Sequence, residues 1–178
     1  MKVYLLSLIP FREQFPNLTK REIERKAGDY ALRKVFSDLY GITDIQINRE
    51  GKPYIENCPY HFNLSHSGDF LLLAVGECPV GADIEKITRI LPKTLKQYFS
   101  QEEQTLVEKE GKKTFFEFWT KKESYVKYTG EGIKGLSKVI YPEELAFFCE
   151  KITEKTEEYQ ITVCTQKEYL PKTIEILT

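Results

Sequence analysis

The sequence predicts an α+β protein of two similar halves, each an antiparallel sheet packed with a long helix. Strand-like sequence, a helical run and further strand-like sequence follow one another from Met1 and again from Val80. A hydrophobic fraction of 41% with 13% aromatic residues is ample for a packed core and excludes a disordered chain. At 178 residues the chain suits one compact domain, or two small halves sharing a core, divided here as 1–79 and 80–178. The residues themselves show no repeat, so the duplication lies in the order of elements alone.

Residues 2–9 are β-rich and alternate loosely, which predicts a first strand. "NLTKREIERKAGDYALRKVFSDLYG" then reads as a long helix: Thr19 and Glu22 stand in capping-box relation, Ile23, Ala27, Tyr30, Ala31 and Val35 recur at helical spacing, and Gly41 stops it. "DIQINREGKPYI" predicts two short strands about a turn at Gly51, and "FNLSHSGDFLLLAVG" a loop feeding a buried strand, Phe70–Val75. In "VGADIEKI" Val80, Ala82 and Ile84 fall on one side, Gly81, Asp83 and Glu85 on the other. Helical sequence follows in three pieces, "LPKTLKQYFS", "QEEQTLVEKEG" and "KKTFFEFWTKKESYVKYTG", the last two parted at Gly111. From about Leu136 the chain is again strand-like.

Charge and cysteine content narrow the function classes. Lysine and arginine total 26 against 27 acids, a net charge of -1, so no global field favours nucleic acid and any anion site must be a local cluster. Cys58, Cys78, Cys149 and Cys164 show no CxxC spacing, and with two histidines in the chain a Cys/His zinc site is not expected. Free thiols fit a reducing, cytoplasmic setting. "MKVYLLSLIP" lacks the length and cleavage site of a signal peptide, and no later run would span a bilayer.

The chemistry concentrates in carboxylates. Asp83 and Glu85 are two apart on an expected strand and leave the same face, where a hard divalent cation would relieve their repulsion; an exposed polar strand face is the ordinary alternative. Glu123 and Lys127, at i and i+4, share a helix face with Trp119. A surface ion pair worth about 0.3–0.5 kcal/mol would explain them. Flanking Phe115, Phe116, Trp119 and Tyr125 argue against full solvation and for a third metal-directed acid beside an ammonium, a set suited to moving a phosphorylated group. Glu103 stands in capping-box relation to Ser100, which accounts for both without chemistry. "REGKP" (Arg49–Pro53) and "NLSHSGD" (Asn63–Asp69) offer donors for phosphate, whereas GxxxxGK[ST] and GxGxxG are missing and "TGEGIKG" reads first as a helix C-cap.

The order "GKP", "FNLSHSG", "VGADIEKI", "FSQEE", "FWTKKESYVKYTGEGI" resembles the 4′-phosphopantetheinyl transferases, in particular the two-half type that activates peptide and polyketide synthetases. The family signature, G-x-D-x-E and then W-x-x-K-E-x-x-x-K, is met by Gly81, Asp83, Glu85, Trp119, Lys122, Glu123 and Lys127. The resemblance implies transfer of the phosphopantetheine arm of coenzyme A to a carrier-protein serine, with release of adenosine 3′,5′-bisphosphate, and a coenzyme A cleft between the halves. It implies that Asp83, Glu85 and Glu123 hold Mg²⁺, that Glu123 assists deprotonation of the serine, and that Lys127 stabilises the leaving phosphate. It further implies coenzyme A contacts from Lys52, Pro53, Ser65 and His66, with His66 near the 3′-phosphate, and an additional acid at Glu103. The family's early basic residues lack a clean counterpart; Arg12 and Arg49 are the candidates. Lys121, Lys134 and Lys138 would meet an acidic carrier, and a two-half chain would act as a monomer. Two rival readings remain: a metal-dependent phosphodiesterase or nuclease using the same acids with water as nucleophile, and a non-catalytic carrier- or coenzyme-A-binding module.

Overall fold

A computed structural model describes residues 1–48, 53–88 and 97–178. It has a mixed α+β architecture whose two main sheets lie face to face, each covered on its outer side by a long helix. The first sheet has the order β4-β5-β1-β9, the second β6-β8-β7.

Strand β1 (Lys2–Ser7) gives way at once to a short helix α1 (Ile9–Gln14), where the sequence suggested a strand through residue 9. Pro10 explains the switch: its fixed φ suits a first helical turn and it has no N–H to give a sheet. Helix α2 (Lys20–Tyr40) begins at the expected capping box, both halves of which form, and ends on Gly41 at φ 65°. The two-residue strands β2 (Gln46–Ile47) and β3 (Pro53–Tyr54) pair as a separate ribbon. The turn expected at Gly51, with Arg49 and Lys52, lies outside the described residues.

"HFNLSHS" is not a loop but strand β4 (His61–Ser67), antiparallel to β5 (Phe70–Gly76). Asn, Ser and His have weak strand propensity, but β5 supplies the ladder and their side chains have partners elsewhere. Strand β5 pairs with β1, whose other edge takes β9 (Glu175–Leu177) in parallel. Thus a strand from the far end of the chain completes the first sheet.

Alternation along β1 and β5 sorts two cores. Tyr4, Leu6, Leu71, Leu73 and Val75 pack against Ala27, Ala31, Leu32, Val35 and Phe36 of α2. Val3, Leu5, Phe70, Leu72 and Ala74 face the second sheet, meeting Ala82 and Ile84 of β6 (Gly81–Lys86) and Tyr159, Ile161 and Val163 of β8 (Glu157–Gln166). With both faces covered, β5 is buried throughout, as its unbroken apolar run requires. Strand β7 (Leu145–Glu154) is the outer edge of the second sheet.

Helix α3 (Gln101–Glu110), capped by Ser100 and Glu103, precedes α4 (Lys112–Thr129), and the two part at Gly111 as expected. Phe115, Phe116, Trp119 and Val126 of α4 join Ile87, Phe99, Val107 and Leu136 in a third core. The other expected helical piece, near residues 91–100, lies largely outside the described residues. No helix among those described is long and apolar enough to cross a membrane.

Candidate active site

The site forms where β4 and β6, edge strands of different sheets, run side by side under α4. Gly81 sets the approach of helix and strand. A β-carbon there would stand 1.8 Å from the Ser124 carbonyl oxygen and 2.5 Å from Tyr128 N, so β6 lies almost on the backbone of α4. The next residues of β6 on that face also meet α4: Asp83 meets Lys127 in the same stretch of helix, and Glu85 lies near Trp119, eight residues earlier.

The Lys127 ammonium donates to Asp83 Oδ1 at 2.7 Å, Ser65 Oγ at 3.0 Å and the Ala82 carbonyl at 3.2 Å. All three of its protons are engaged. Asp83 is 3% exposed, and its Oδ2 is buried without a hydrogen-bond partner. Burial pushes its carboxyl above the usual range, against the opposing pull of Lys127. Burial, with the charge of Asp83 adding to it, lifts Glu85 to about 7. The Ser67 hydroxyl donates to that carboxylate at 2.9 Å, and it and the nearby Trp119 indole oppose the rise. Burial and then Asp83 also raise Glu123, again with Lys127 opposing.

This donor set suits a hard dication: carboxylates that raise one another's affinity for protons, one of them carrying an orphaned oxygen, with one ammonium among them. Among the described residues, however, no three His, Cys, Asp or Glu side chains are drawn tightly enough together to cage a metal ion. Lys127, Ser65 and Ser67 hold Asp83 and Glu85 in their present poses.

The other sequence-derived candidates are dispersed. Ser65 is buried at the centre of the cluster, donating to Asp83 Oδ1 at 2.8 Å. His66 points to the other face of β4. With Pro53 it lines a cleft of about 540 Å³, shared with Arg21, Glu24, Arg25 and Gly28 of α2. His66 Nδ1 lies 3.2 Å from Glu24 Oε1, a buried oxygen that makes no well-formed hydrogen bond. Arg12 is not in this cleft. Its guanidinium pairs with Asp69 and donates to the Gly68 carbonyl at 2.6 Å, bracing the β4–β5 turn beside a separate cavity. Glu103 Oε2 accepts from Ser100 N at 2.8 Å and pairs at 3.0 Å with Lys122, which is only 6% exposed. It therefore caps α3 and neutralises a buried lysine of α4.

Sequence reading did not name Arg21 and Arg25, and it offered Asn63 and Ser67 only within a phosphate-donor segment, where they instead meet Ala82 N–H and Glu85. The two arginines sit at i and i+4 on the α2 face lining the His66 cleft, a spacing visible in "REIER" once the helix is accepted. The two β4 residues were hidden by treating their segment as a loop.

Residues 79–172 match the family model of the 4′-phosphopantetheinyl transferase superfamily. The chain is similar to 4′-phosphopantetheinyl transferase psf-1 of Bacillus pumilus, 33% identical over 85% of this chain and 74% of that protein. It is similar also to ffp of Bacillus subtilis, 31% identical over 85% of this chain and 77% of that one. With Sfp of Bacillus subtilis strain 168 it shares 36% identity over 60% of this chain, which spans about half of Sfp, 51%.

Proposed function

The chain belongs to the 4′-phosphopantetheinyl transferase superfamily and is an enzyme of the holo-carrier-protein synthase type, and from that premise we propose how its residues do the work. The substrate is coenzyme A, and the acceptor is a serine hydroxyl of an apo acyl or peptidyl carrier protein. Coenzyme A runs across the junction of the halves 1–79 and 80–178, its nucleotide end in the cleft of the first half lined by Pro53 and His66, where Arg21 and Arg25 add positive charge. Asp83, Glu85 and Glu123 are the residues that would hold Mg²⁺. When bound, the ion draws charge from the pyrophosphate oxygens and lowers the barrier to breaking the P–O bond.

The chain's own groups do the rest. Glu123 takes the proton of the carrier serine as its oxygen forms the new P–O bond. Lys127 neutralises the charge that grows on the departing phosphate of adenosine 3′,5′-bisphosphate. Ser67 fixes Glu85, and Lys122 with Glu103 anchors the start of α3 against α4. The enzyme acts as a monomer in the cytoplasm, a setting in keeping with its four free cysteines.

The observation that carries this reading is the Lys127 ammonium shared between Asp83 and Ser65 at the β4–β6 seam, with Glu85 and Glu123 within electrostatic reach. Mass spectrometry of apo carrier incubated with the chain, coenzyme A and Mg²⁺ tests it. The carrier is expected to gain the mass of one phosphopantetheine arm. Hydrolysis of coenzyme A without modification of any carrier would instead identify a phosphodiesterase.

A further inference from the structure

Three alternate side chains of β4 face β6, and each accepts a hydrogen bond from a β6 backbone N–H. Asn63 Oδ1 accepts from Ala82 at 3.1 Å, Ser65 Oγ from Ile84 at 3.4 Å, and Ser67 Oγ from Lys86 at 3.0 Å. The residues just before those N–H groups are Gly81, Asp83 and Glu85. Beside the glycine the partner is an amide. Beside each carboxylate it is a serine, whose proton goes to that carboxylate: Ser65 to Asp83 Oδ1 at 2.8 Å, Ser67 to Glu85 Oε2 at 2.9 Å.

The chemistry of the partner therefore follows the chemistry of the strand. An amide oxygen only accepts, whereas a hydroxyl has one proton to give and two lone pairs to fill. Ser65 is saturated within the protein, since Ile84 N–H and Lys127 Nζ take its lone pairs and Asp83 its proton. It has no proton left for a phosphate oxygen. Ser67 likewise spends its proton on Glu85.

We infer that Ser65 and Ser67 are positioning residues, which hold the two strand carboxylates at a fixed height and rotation for a divalent cation. The "NLSHS" and "GADIE" segments form one device, in which N-x-S-x-S is the template and G-x-D-x-E the part templated. This rests on the proposed Mg²⁺ reading, and Ser67 is its cleanest test because it does not touch Lys127 in the contacts described here.

The readout is built in. Trp119 is the chain's single tryptophan and its indole lies beside Glu85, so its emission reports events at that carboxylate. Mg²⁺ or Mn²⁺ alone, titrated into the wild-type chain, is expected to change that emission saturably. Ser67→Ala should raise the cation dissociation constant roughly 10–100-fold, the usual cost of losing a group that orients a metal ligand. Ser67→Thr, which keeps the hydroxyl, should restore it. Asn63→Ala removes a bond of the same seam that supports no carboxylate, and should leave cation affinity unchanged even if it lowers the melting temperature. Equal affinity in Ser67→Ala and wild type, or an equal loss in Asn63→Ala, would overturn the inference while leaving the transferase reading standing. No saturable response in the wild type would remove the metal reading and this inference together, and arm transfer to the carrier would then be judged separately.

Discussion

A methyl group at Gly81 would collide with two backbone atoms of α4, and backbone cannot swing aside as a side-chain tip can. Gly81→Ala is therefore expected to lift the helix off β6, costing about 3 kcal/mol or more in a urea denaturation curve and separating Lys127 from Asp83. Lys127 itself has two duties, which two measurements separate. Lys127→Ala and Glu123→Ala should each abolish arm transfer, but only the first should weaken the fold, by roughly 3–5 kcal/mol, because it strands a buried carboxylate. In that variant Asp83 loses the charge that opposes its burial, so its folded-state carboxyl rises further. A raised carboxyl binds its proton better folded than unfolded, so the deficit should be small in acid and grow as pH rises, measurable in melts at pH 5 and pH 8. At this scale the sequence was informative about type and silent about partners. The spacing of Asp83 and Glu85 put both on one face, but nothing local revealed that Ser65 and Ser67 would meet them, since those contacts span 18 positions of chain.

Among the elements, α2 is the most legible, because its signals are local. Its cap, its apolar spacing and its terminal glycine all occur where the sequence has them. Thr19→Ala, which removes the capping oxygen, should cost about 1 kcal/mol and lower the melting temperature accordingly. Strand β4 was illegible for the opposite reason. Asn63, Ser65, His66 and Ser67 carry turn-like propensities, and their strand identity comes from pairing with β5 and from acceptors needed by β6. Period-2 alternation was present in "NLSHS" all along, with the small polar residues, not the apolar ones, marking the significant face. Helix α1 departs from the strand expected over residues 2–9 because Pro10 opens a helical turn.

For the molecule as a whole, the stacking of two sheets between two helices explains how one chain can make both an apolar centre and a polar seam. Faces of β1, β5, β6 and β8 meet as hydrocarbon, while the edges of β4 and β6 meet through hydroxyls, amide and ammonium. Composition announced the first, and only the tertiary arrangement creates the second. Of the lysines expected to greet an acidic carrier, Lys134 is exposed and Lys121 stands 3.7 Å from Glu117 on α4. The Lys138 side chain lies outside what the structure describes. Replacing Lys121 and Lys134 together by glutamate should raise the carrier's KM several-fold in steady-state assays without altering the KM for coenzyme A, as expected for charges that guide encounter. The pairing of Tyr4–Leu6 with Glu175–Leu177 bears on biogenesis. Translation delivers the parallel neighbour of β1 more than 160 residues after β1 itself, so a nascent polypeptide carries that edge uncovered until β9 emerges. Until the two strands meet, a chaperone that shields bare strand edges would find its hold on β1.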